Sequence, residues 1–265
     1  MNAQQTAPMA DAAWLEQLAA IVRQAGDVVM SVYATDFAVR GKDDASPVTE
    51  ADERAEAVIV AGLQQNWPGI PVVAEEAVAA GSVPELGERF WLVDPLDGTK
   101  EFIGRNGEFT VNVALIERGV PVLGVVLAPA LGPRGQLYAG ALGHGAWMEA
   151  DDGRRTIACR RVPAEGLTVV ASRSHGDAAA LEAFLAGRRV ASTTNAGSSL
   201  KLCLVARGAA DLYPRLGRTM EWDIAAGHAV LAAAGGYVCD LQGAPLRYGK
   251  PGLDNPHFVA SGLAD

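Results

Sequence analysis

The sequence predicts a mixed fold of the α/β (α+β) class, with an N-terminal α+β half over residues 1–160 and a C-terminal α/β half over residues 161–265. Three observations support this. Two amphipathic helical patterns open the chain, short apolar segments separated by turn residues follow, and the second half alternates apolar segments with helical patterns. Short apolar segments joined by turns are typical of antiparallel strands, whereas regular alternation is typical of α/β units. No low-complexity linker separates the halves, so we expect them to pack tightly.

The first half is expected to begin with two helices. Apolar residues recur at helical spacing through residues 9–33. A polar loop is expected over residues 40–47. The second helix is expected from Thr49 to the residue before Trp67, because Pro68 cannot continue a helix.

Strands then dominate up to about residue 150. Turn residues such as Arg118 and Gly119 separate two of these segments and predict a hairpin. Glu75 and Glu76 are expected in the loop after the first strand. The expected strands cover residues 71–74, 90–93, 110–117, 120–127, 137–141 and 146–148.

The second half is expected to alternate between strands and helices. The expected strands cover residues 167–171 and 211–213, and the expected helices cover residues 177–185, 199–207 and 223–234.

Composition excludes several classes of protein. Hydrophobic residues make up 49% of the chain, charged residues 20%, and the net charge is −9 without a Lys/Arg cluster. We therefore expect no nucleic-acid polymer as a partner. The three cysteines are too far apart for a disulfide framework or a Cys-x-x-Cys metal site, so buried thiols are expected. No apolar run reaches the roughly 18 residues of a membrane span, and we expect a cytoplasmic protein without a transmembrane segment.

Residues 94–99 carry the sequence DPLDGT directly after the apolar residues 90–93. Pro95 disfavours helical backbone at Asp94, so we expect the chain to turn there and both Asp94 and Asp97 to face one point. Carboxylates that converge at a strand end suit Mg²⁺, which takes one or two carboxylates together with water and substrate phosphate. These residues therefore predict a magnesium site.

The same segment also predicts a phosphate site. The Leu96 carbonyl is a further candidate metal ligand, and Gly98 lets the backbone approach a ligand closely. A short helix is expected to begin at Gly98 and Thr99, where free N–H groups bind anions. A solvated turn is the structural alternative, since Asp, Pro and Gly are all turn residues.

Other acids lie where the same site can recruit them. Glu75 follows an apolar segment, and Asp223 precedes the apolar residues 224–234. The structural alternative for Asp223 is a helix N-cap. Asp52 lies three residues after Thr49, and its alternative is a capping box.

With these residues in hand, the sequence resembles the inositol monophosphatase superfamily of Mg²⁺-dependent, Li⁺-sensitive phosphatases. The resemblance implies a layered α/β/α/β/α sugar-phosphatase-like fold and hydrolysis of a phosphate monoester. The matching motifs, in chain order, are VTEAD at 48–52, EE at 75–76, WLVDPLDGT at 91–99 and WDIAAG at 222–227.

Within that superfamily, the sequence looks like the 3′(2′),5′-bisphosphate nucleotidases of the CysQ type. The first signature is followed by KEFI at 100–103, where inositol phosphatases usually carry Thr-Asn-Phe. The segments SRSH at 172–175, GSSLK at 197–201 and LYPR at 212–215 also look like this branch. The resemblance implies hydrolysis of the 3′-phosphate of adenosine 3′,5′-bisphosphate to AMP and phosphate, in sulfur assimilation.

The resemblance also implies the metal ligands for two or three Mg²⁺ ions. Glu75, Asp94 and the Leu96 carbonyl are expected at the first ion. Asp94, Asp97 and Asp223 are expected at the second ion, with Asp94 bridging the two.

Three residues are expected to act on the attacking water. Thr99 orients or deprotonates it, with Glu75 or Asp52 as the final proton acceptor. Asp52 is also expected to hold a third, more weakly bound ion or its waters.

Substrate contacts are expected mainly from the second half. The backbone N–H groups of Gly98 and Thr99 hold the reacting phosphate. Lys201 and Arg215 are candidates for the second phosphate, with a solvated helix position and an ion pair as their structural alternatives. The remaining candidate substrate contacts are Ser174, His175, Ser198 and Asp223.

Two rival functions remain open. One is a phosphatase for inositol, histidinol or a sugar phosphate, against which Lys100, Glu101 and Lys201 argue. The other is an inactive cation- or nucleotide-binding regulatory protein, against which the complete set of acids argues. The sequence also leaves open whether the protein is a monomer or a homodimer. Association with the inner membrane face is a family analogy, and no anchor is encoded.

Overall fold

The computed structural model describes residues 11–41, 47–172 and 178–263. The described helices are α1 (Ala12–Tyr33), α2 (Glu50–Asn66), α3 (Glu75–Ala79), α4 (Thr99–Ile103), α5 (Ala178–Leu185), α6 (Leu200–Ala206) and α7 (Glu221–Ala233).

Strands of the first half form a seven-stranded sheet with the order β3-β4-β5-β6-β7-β8-β9. The first pair, β3 and β4, is parallel, and every later pair is antiparallel. A small separate pair, β1 (Arg40–Gly41) with β2 (Pro47–Val48), precedes α2. The seven strands are β3 (Val72–Ala74), β4 (Arg89–Asp97), β5 (Thr110–Glu117), β6 (Val120–Ala128), β7 (Gln136–Ala141), β8 (Gly145–Ala150) and β9 (Gly153–Ile157).

Strands of the second half form a five-stranded sheet with the order β11-β10-β12-β14-β13. Here β10 is parallel to β11 and β12, while β14 runs antiparallel to β12 and β13. These strands are β10 (Leu167–Ser172), β11 (Val190–Ala196), β12 (Leu212–Arg215), β13 (Tyr237–Asp240) and β14 (Phe258–Ser261).

Alternating side chains divide the core between the two faces of the large sheet. Trp91 and Val93 of β4 pack with α1 and α2 on one face. Phe90 and Leu92 pack on the opposite face with α6, α7 and strands of the smaller sheet. Because neighbouring strand residues point to opposite faces, Asp94 continues the row of Phe90 and Leu92 toward α7. The fold is therefore mixed and layered, as the sequence predicts, with α6 and α7 between the two sheets.

The apolar elements agree with the sequence prediction, and the polar edges do not. Every helix and strand predicted from apolar periodicity has a counterpart within a few residues. Strands β9 and β11 were not predicted, because they are exposed at sheet edges and carry few apolar residues. The very short β1 and β2, the short β13 and β14, and helix α3 were also missed. Glu75 and Glu76 therefore lie in a helix instead of the expected loop.

Candidate functional site

Strand β4 does not end in the turn that Pro95 predicted. It continues to Asp97, and the ladder with β5 is interrupted between Asp94 and Asp97. Proline cannot donate a ladder hydrogen bond, so within a sheet it is tolerated where the ladder is interrupted, as it is here. The Leu96 N–H donates to Asp94 Oδ1 over 3.1 Å, so the two aspartates are brought together by a bulge.

The chain then enters the short helix α4 through Gly98. Gly98 has φ +89° and ψ +44°, a left-handed conformation that favours glycine. A Cβ at this position would lie 3.3 Å from Glu101 Oε2 and 3.4 Å from the Ser198 Cβ. The backbone at Gly98 therefore lies directly against the segment that carries Ser198. The predicted short helix after Gly98 is confirmed.

Glu75 and Asp94 meet at the start of the site. Glu75 is the first residue of α3, directly after β3, which pairs with β4. Its carboxyl group hydrogen-bonds the carboxyl group of Asp94. Burial raises the pKa of Asp94 well above its usual value, and Glu75, Asp97 and Asp223 raise it further. The four acids predicted as metal ligands are thus within electrostatic reach of one another.

Asp223 is the third residue of α7, so its structural alternative as the N-cap of that helix is wrong. Its Oδ2 accepts a hydrogen bond from the N–H of Met220, the N-cap residue of α7, over 2.9 Å, as the third helical residue of a capping box does. Burial, followed by the charge of Asp97, raises the pKa of Asp223 well above its usual value. Burial raises the pKa of Asp97 to about 6 against the opposing effect of Lys201. Buried carboxyl groups that repel one another favour a bound cation.

These acids fit magnesium as part of a coordination shell. Within the described residues, no group of three acidic, histidine or cysteine side chains could hold a metal ion by itself. Mg²⁺ does not need such a cage, because it keeps several waters and binds through one or two carboxylates plus substrate phosphate. The hard oxygen donors Glu75, Asp94, Asp97 and Asp223 match that preference.

The side chain of Asn112 is a further sign that the site binds a hydrated ion, because its polar atoms are buried without hydrogen bonds in the described part of the chain. It lies directly opposite Asp94 in the β4–β5 ladder and is fully buried. Among the residues that the structure describes, neither its amide oxygen nor its amide nitrogen has a hydrogen-bond partner. Buried amides are nearly always paired with protein or water. A polar side chain of this kind beside Asp94 fits a hydrated ion.

Asp52 and Thr99 contact each other from different segments. Asp52 Oδ2 accepts from the Thr49 N–H and from Thr49 Oγ1, both over 2.8 Å, so the predicted capping box is confirmed. The other oxygen, Oδ1, lies 3.4 Å from Thr99 Oγ1. Thr99 Oγ1 is also 3.3 Å from the Leu96 carbonyl oxygen. Burial raises the pKa of Asp52 to about 6.

A cavity of about 430 Å³ brings most of the predicted residues together. Asp94, Leu96 and Asp52 are not on its wall. Ser174 and His175 lie outside the described residues, and nothing about their position follows. The predicted residues on the wall are Glu75, Asp97, Gly98, Thr99, Ser198, Lys201, Arg215 and Asp223.

Lys201 is a buried cation, so its alternative as a solvated helix residue is wrong. Its side chain is 5% exposed. Its Nζ donates to the Ser198 carbonyl over 2.5 Å and to the Ala196 carbonyl over 3.3 Å. Burial lowers the pKa of Lys201 to about 8, partly offset by Asp97. Arg215, at the end of β12, donates from Nη2 to the Arg218 carbonyl over 2.9 Å.

Several wall residues were not predicted from the sequence. Ser199 Oγ lies 2.5 Å from the Asp223 carbonyl oxygen and 3.3 Å from Asp97 Oδ2, and so joins the two acids. Arg218 and Thr219 also line the cavity. In the sequence, Arg218 lies three residues after Arg215 in a polar segment just before Trp222 and Asp223, and this position alone does not indicate a site.

The chain is similar to known proteins over nearly its whole length. The model of the inositol monophosphatase family matches residues 11–262. The 3′(2′),5′-bisphosphate nucleotidase CysQ of Escherichia coli (strain K12) is 50% identical over 250 residues, which are 93% of this chain and 99% of that protein.

Two solved structures are similar over nearly their whole length. The crystal structure of CysQ from Bacteroides thetaiotaomicron has a TM-score of 0.77 and 37% identity, covering 95% of this chain and 97% of that one. Inositol monophosphatase from Anabaena (Nostoc) sp. PCC 7120 has a TM-score of 0.73 and 26% identity, covering 94% and 90%.

In the part of this protein that the structure describes, no helix could span a membrane. The family match covers both sheets and every described acid of the site. On these grounds, the chain belongs to the inositol monophosphatase family.

Proposed function

We propose that this protein is a Mg²⁺-dependent 3′(2′),5′-bisphosphate nucleotidase that converts adenosine 3′,5′-bisphosphate to AMP and phosphate in sulfur assimilation. One observation carries the proposal. A single cavity has the proposed metal ligands Glu75, Asp97 and Asp223 on its wall, together with the cations of Lys201 and Arg215. Acids suit a metal-assisted phosphatase, and cations suit a second phosphate on the substrate.

The similarity of sequences supports the same substrate class. The curated relative named as a bisphosphate nucleotidase is 50% identical over almost the whole chain. The inositol monophosphatase structure is only 26% identical. The chain is therefore an enzyme of the phosphoric monoester hydrolase type. Its greater identity to the nucleotidase than to the inositol monophosphatase favours a nucleotide as the substrate.

We assign the metal ligands as the sequence predicts. Glu75, Asp94 and the Leu96 carbonyl would hold one ion, and Asp94, Asp97 and Asp223 would hold a second. A third, weaker ion near Asp52 belongs to the same proposal. Mg²⁺ in such a site lowers the pKa of bound water and neutralises charge on the phosphoryl group.

Thr99 and Asp52 move the proton of the attacking water. Thr99 Oγ1 lies 3.4 Å from Asp52 Oδ1, close enough to pass a proton after a small adjustment. Without bound metal, burial raises the pKa of Asp52 to about 6, so the carboxylate is ionised at neutral pH and can accept a proton. Its second oxygen is fixed by Thr49. We assign Asp52 as the proton acceptor and Glu75 as the alternative.

The remaining residues bind and orient the substrate. The N–H groups of Gly98 and Thr99 face the reacting phosphate. Lys201 has three N–H donors and gives two of them to carbonyls, which leaves one for the second phosphate. Arg215 and Ser198 lie on the same wall. Asp223, as well as binding metal, contacts the substrate, as do Ser174 and His175 in this proposal.

The experiment is phosphate release from adenosine 3′,5′-bisphosphate and from inositol 1-phosphate, measured side by side with and without Mg²⁺ and Li⁺. We expect Mg²⁺-dependent, Li⁺-sensitive release with a strong preference for the nucleotide. Asp94→Asn should lower kcat/KM by at least about 100-fold, since losing a preorganised electrostatic group costs about 3 kcal/mol.

Each other outcome contradicts a defined part of the proposal. Preference for inositol 1-phosphate would keep the metal chemistry and reject the substrate. Binding of Mg²⁺ and nucleotide without turnover would favour a regulatory binding protein. Full activity of Asp94→Asn would reject the metal assignment. Cytoplasmic location and association with the inner membrane face are tested separately by fractionation of cells that express the protein.

A further inference from the structure

Helix α2 places two acids on one face, one helical turn apart. Asp52 and Glu56 are four residues apart, a spacing that makes helical side chains neighbours. Asp52 faces Thr99 of the proposed site. Glu56 is 9% exposed, so the structure buries a carboxylate for which the proposed reaction has no use. Buried carboxylates are retained only with strong partners.

The partners of Glu56 are the first free N–H groups of helix α3. Glu56 Oε2 accepts from the Glu76 N–H over 2.7 Å, and Glu56 Oε1 accepts from the Ala77 N–H over 2.9 Å. The residue before the helix, Ala74, offers no side-chain cap. Glu56 therefore supplies, from 20 residues away, the acceptors that a capping side chain normally provides.

We propose that Glu56 is a positioning residue that fixes the direction of Glu75 toward Asp94. The inference rests on the proposed function, in which Glu75 binds Mg²⁺. Glu75 is the first residue of α3, directly before the two N–H groups that Glu56 holds. Two parallel charge-assisted hydrogen bonds restrain rotation as well as distance. They therefore set the orientation of the helix turn from which Glu75 projects.

The same helix thereby aligns two parts of the site. Asp52 contacts Thr99 at the start of α4, and Glu56 holds the start of α3. A shift of α2 would move both groups together, whereas a change at Glu56 alone would move Glu75 relative to Asp94. Mutation of a group that orients a metal ligand typically lowers metal affinity by 10- to 100-fold.

The test compares Glu56→Gln with Glu53→Gln in the full chain. The Gln amide keeps one acceptor and presents a donor to the second N–H group. Glu53 lies on the same helix, but it is about half exposed and pairs with Arg40 on the surface. Mg²⁺ binding is measured by calorimetry, and the melting temperature is measured in EDTA. We expect roughly tenfold or greater loss of Mg²⁺ affinity for Glu56→Gln and less than a twofold change for Glu53→Gln.

A double-mutant cycle with Glu75→Gln separates positioning from general damage. If Glu56 acts through Glu75, Glu56→Gln should change Mg²⁺ affinity less than twofold in the Glu75→Gln background. Glu56→Asp, which keeps both acceptors on a shorter side chain, should recover part of the affinity. It also provides the test should Glu56→Gln fail to fold.

The outcomes separate the two proposals. Unchanged Mg²⁺ affinity in Glu56→Gln, or a loss that persists in the Glu75→Gln background, overturns the positioning role alone. If Glu56→Gln does not fold, a loss of Mg²⁺ affinity in Glu56→Asp that persists in the Glu75→Gln background overturns it as well. Unchanged affinity in Glu75→Gln overturns the metal assignment of the proposed function.

Discussion

Arg215 is the residue whose substitution best tests substrate choice. It is half-buried on the cavity wall and already donates one hydrogen bond to the Arg218 carbonyl. A hydrogen bond from a charged group contributes about 1.5–3 kcal/mol, which corresponds to roughly a 10- to 150-fold change in binding. Arg215→Gln should therefore raise KM for adenosine 3′,5′-bisphosphate by at least about tenfold.

The matched substrate is adenosine 3′-monophosphate, which lacks the second phosphate. Steady-state kinetics of Arg215→Gln with this substrate should stay within about threefold of wild type. Arg118→Gln, in a surface ion pair with Glu88, serves as the control. Equal losses on both nucleotides would mean that Arg215 acts on the reacting phosphate or on folding.

Asn112 gives a prediction in which stability and metal binding move in opposite directions. Its buried amide has no hydrogen-bond partner among the described residues, and an unpaired buried polar group costs about 1–3 kcal/mol. Asn112→Leu, whose side chain has the same number of heavy atoms and no polar group, should raise the free energy of unfolding in EDTA by about 1 kcal/mol and weaken Mg²⁺ binding. Urea denaturation and calorimetry measure the two effects.

Trp91→Phe is the control for this change. The Trp91 Nε1 is also buried without a partner in the described part of the chain, but Trp91 faces α1 and α2 on the opposite side of the sheet. Its removal should leave Mg²⁺ affinity unchanged. A loss of stability in Asn112→Leu with normal Mg²⁺ binding would contradict a role beside the metal.

Individual residues differ in how far the sequence defines them. The DPLDGT segment predicted Asp94 and Asp97 because two acids beside a proline after an apolar strand have few structural explanations. Asp52 stayed ambiguous, because it makes the capping-box contact that the structural alternative required. The alternative for Asp223 was an N-cap, but Asp223 is the third residue of α7 and accepts from the Met220 N–H. Ser199 and Arg218 were missed as site residues because only three-dimensional proximity distinguishes them from ordinary polar residues. The roles of all these residues stay predictions.

At the scale of elements, helix α7 lies so close to strand β6 that a side chain would separate them. A Cβ at Gly124 would lie 2.6 Å from the Ala226 carbonyl oxygen and 2.8 Å from the Ala229 Cβ. Contacts below 3.0 Å force the backbone to shift. Overpacking a tight contact costs about 1–3 kcal/mol, and the shift would also displace Asp223 at the start of α7.

We therefore expect Gly124→Ala to lower the free energy of unfolding by about 1–3 kcal/mol and to reduce kcat/KM. Urea denaturation and phosphate release measure both. Gly87→Ala is the control, since no atom lies within 4 Å of its Cβ position. Wild-type stability in Gly124→Ala would show that α7 can move away from the sheet without cost.

The elements also show where sequence patterns stop being informative. Helices α1 and α2 have a long apolar stripe, and strands β5 and β6 are almost wholly buried, so both kinds of element were predictable. Strand β11 is exposed over most of its length, and its pairing with β10 depends on backbone hydrogen bonds. A polar edge strand of this kind resembles a loop in sequence.

At the scale of the whole molecule, protons and Mg²⁺ should compete. Folding raises the pKa of Asp52 and Asp97 to about 6, and it raises the pKa of Asp94 and Asp223 well above the usual value. Without metal, the folded state binds more protons than the unfolded state above about pH 4, so these acids make folding less favourable as pH rises through about 6. Bound Mg²⁺ should remove that cost.

His228 contributes with the opposite sign. Burial lowers its pKa to about 3, so its contribution to stability is present above the unfolded-state pKa near 6.5 and is lost as pH falls below that value. This effect is present with or without metal. The difference between the two metal states therefore isolates the acids.

Melting temperatures in EDTA and in 10 mM Mg²⁺ test this competition. The increase caused by Mg²⁺ should be larger at pH 7.5 than at pH 5.5, and it should be small at both pH values in Asp94→Asn. A concentration about 100 times Kd stabilises a protein by about 2.7 kcal/mol. An equal increase at both pH values would contradict competition between protons and Mg²⁺ at these carboxylates.

The division of the chain near residue 160 stays a prediction. The large sheet ends at Ile157 and the smaller sheet begins at Leu167. However, one core cluster includes residues of both sheets and of α7. We propose two structural halves with a shared core and expect neither half to fold when expressed alone.

The position of β14 inside its sheet has a consequence for synthesis on the ribosome. Strand β14 follows every other described strand in the chain, yet it lies between β12 and β13. The smaller sheet therefore cannot close until residue 261 has left the ribosomal tunnel. Asp52, Asp94 and Asp223 have already left the tunnel by then. The smaller sheet that packs against α6 and α7 is still incomplete. Enzymatic competence should consequently appear in one late step, once residue 261 has left the tunnel.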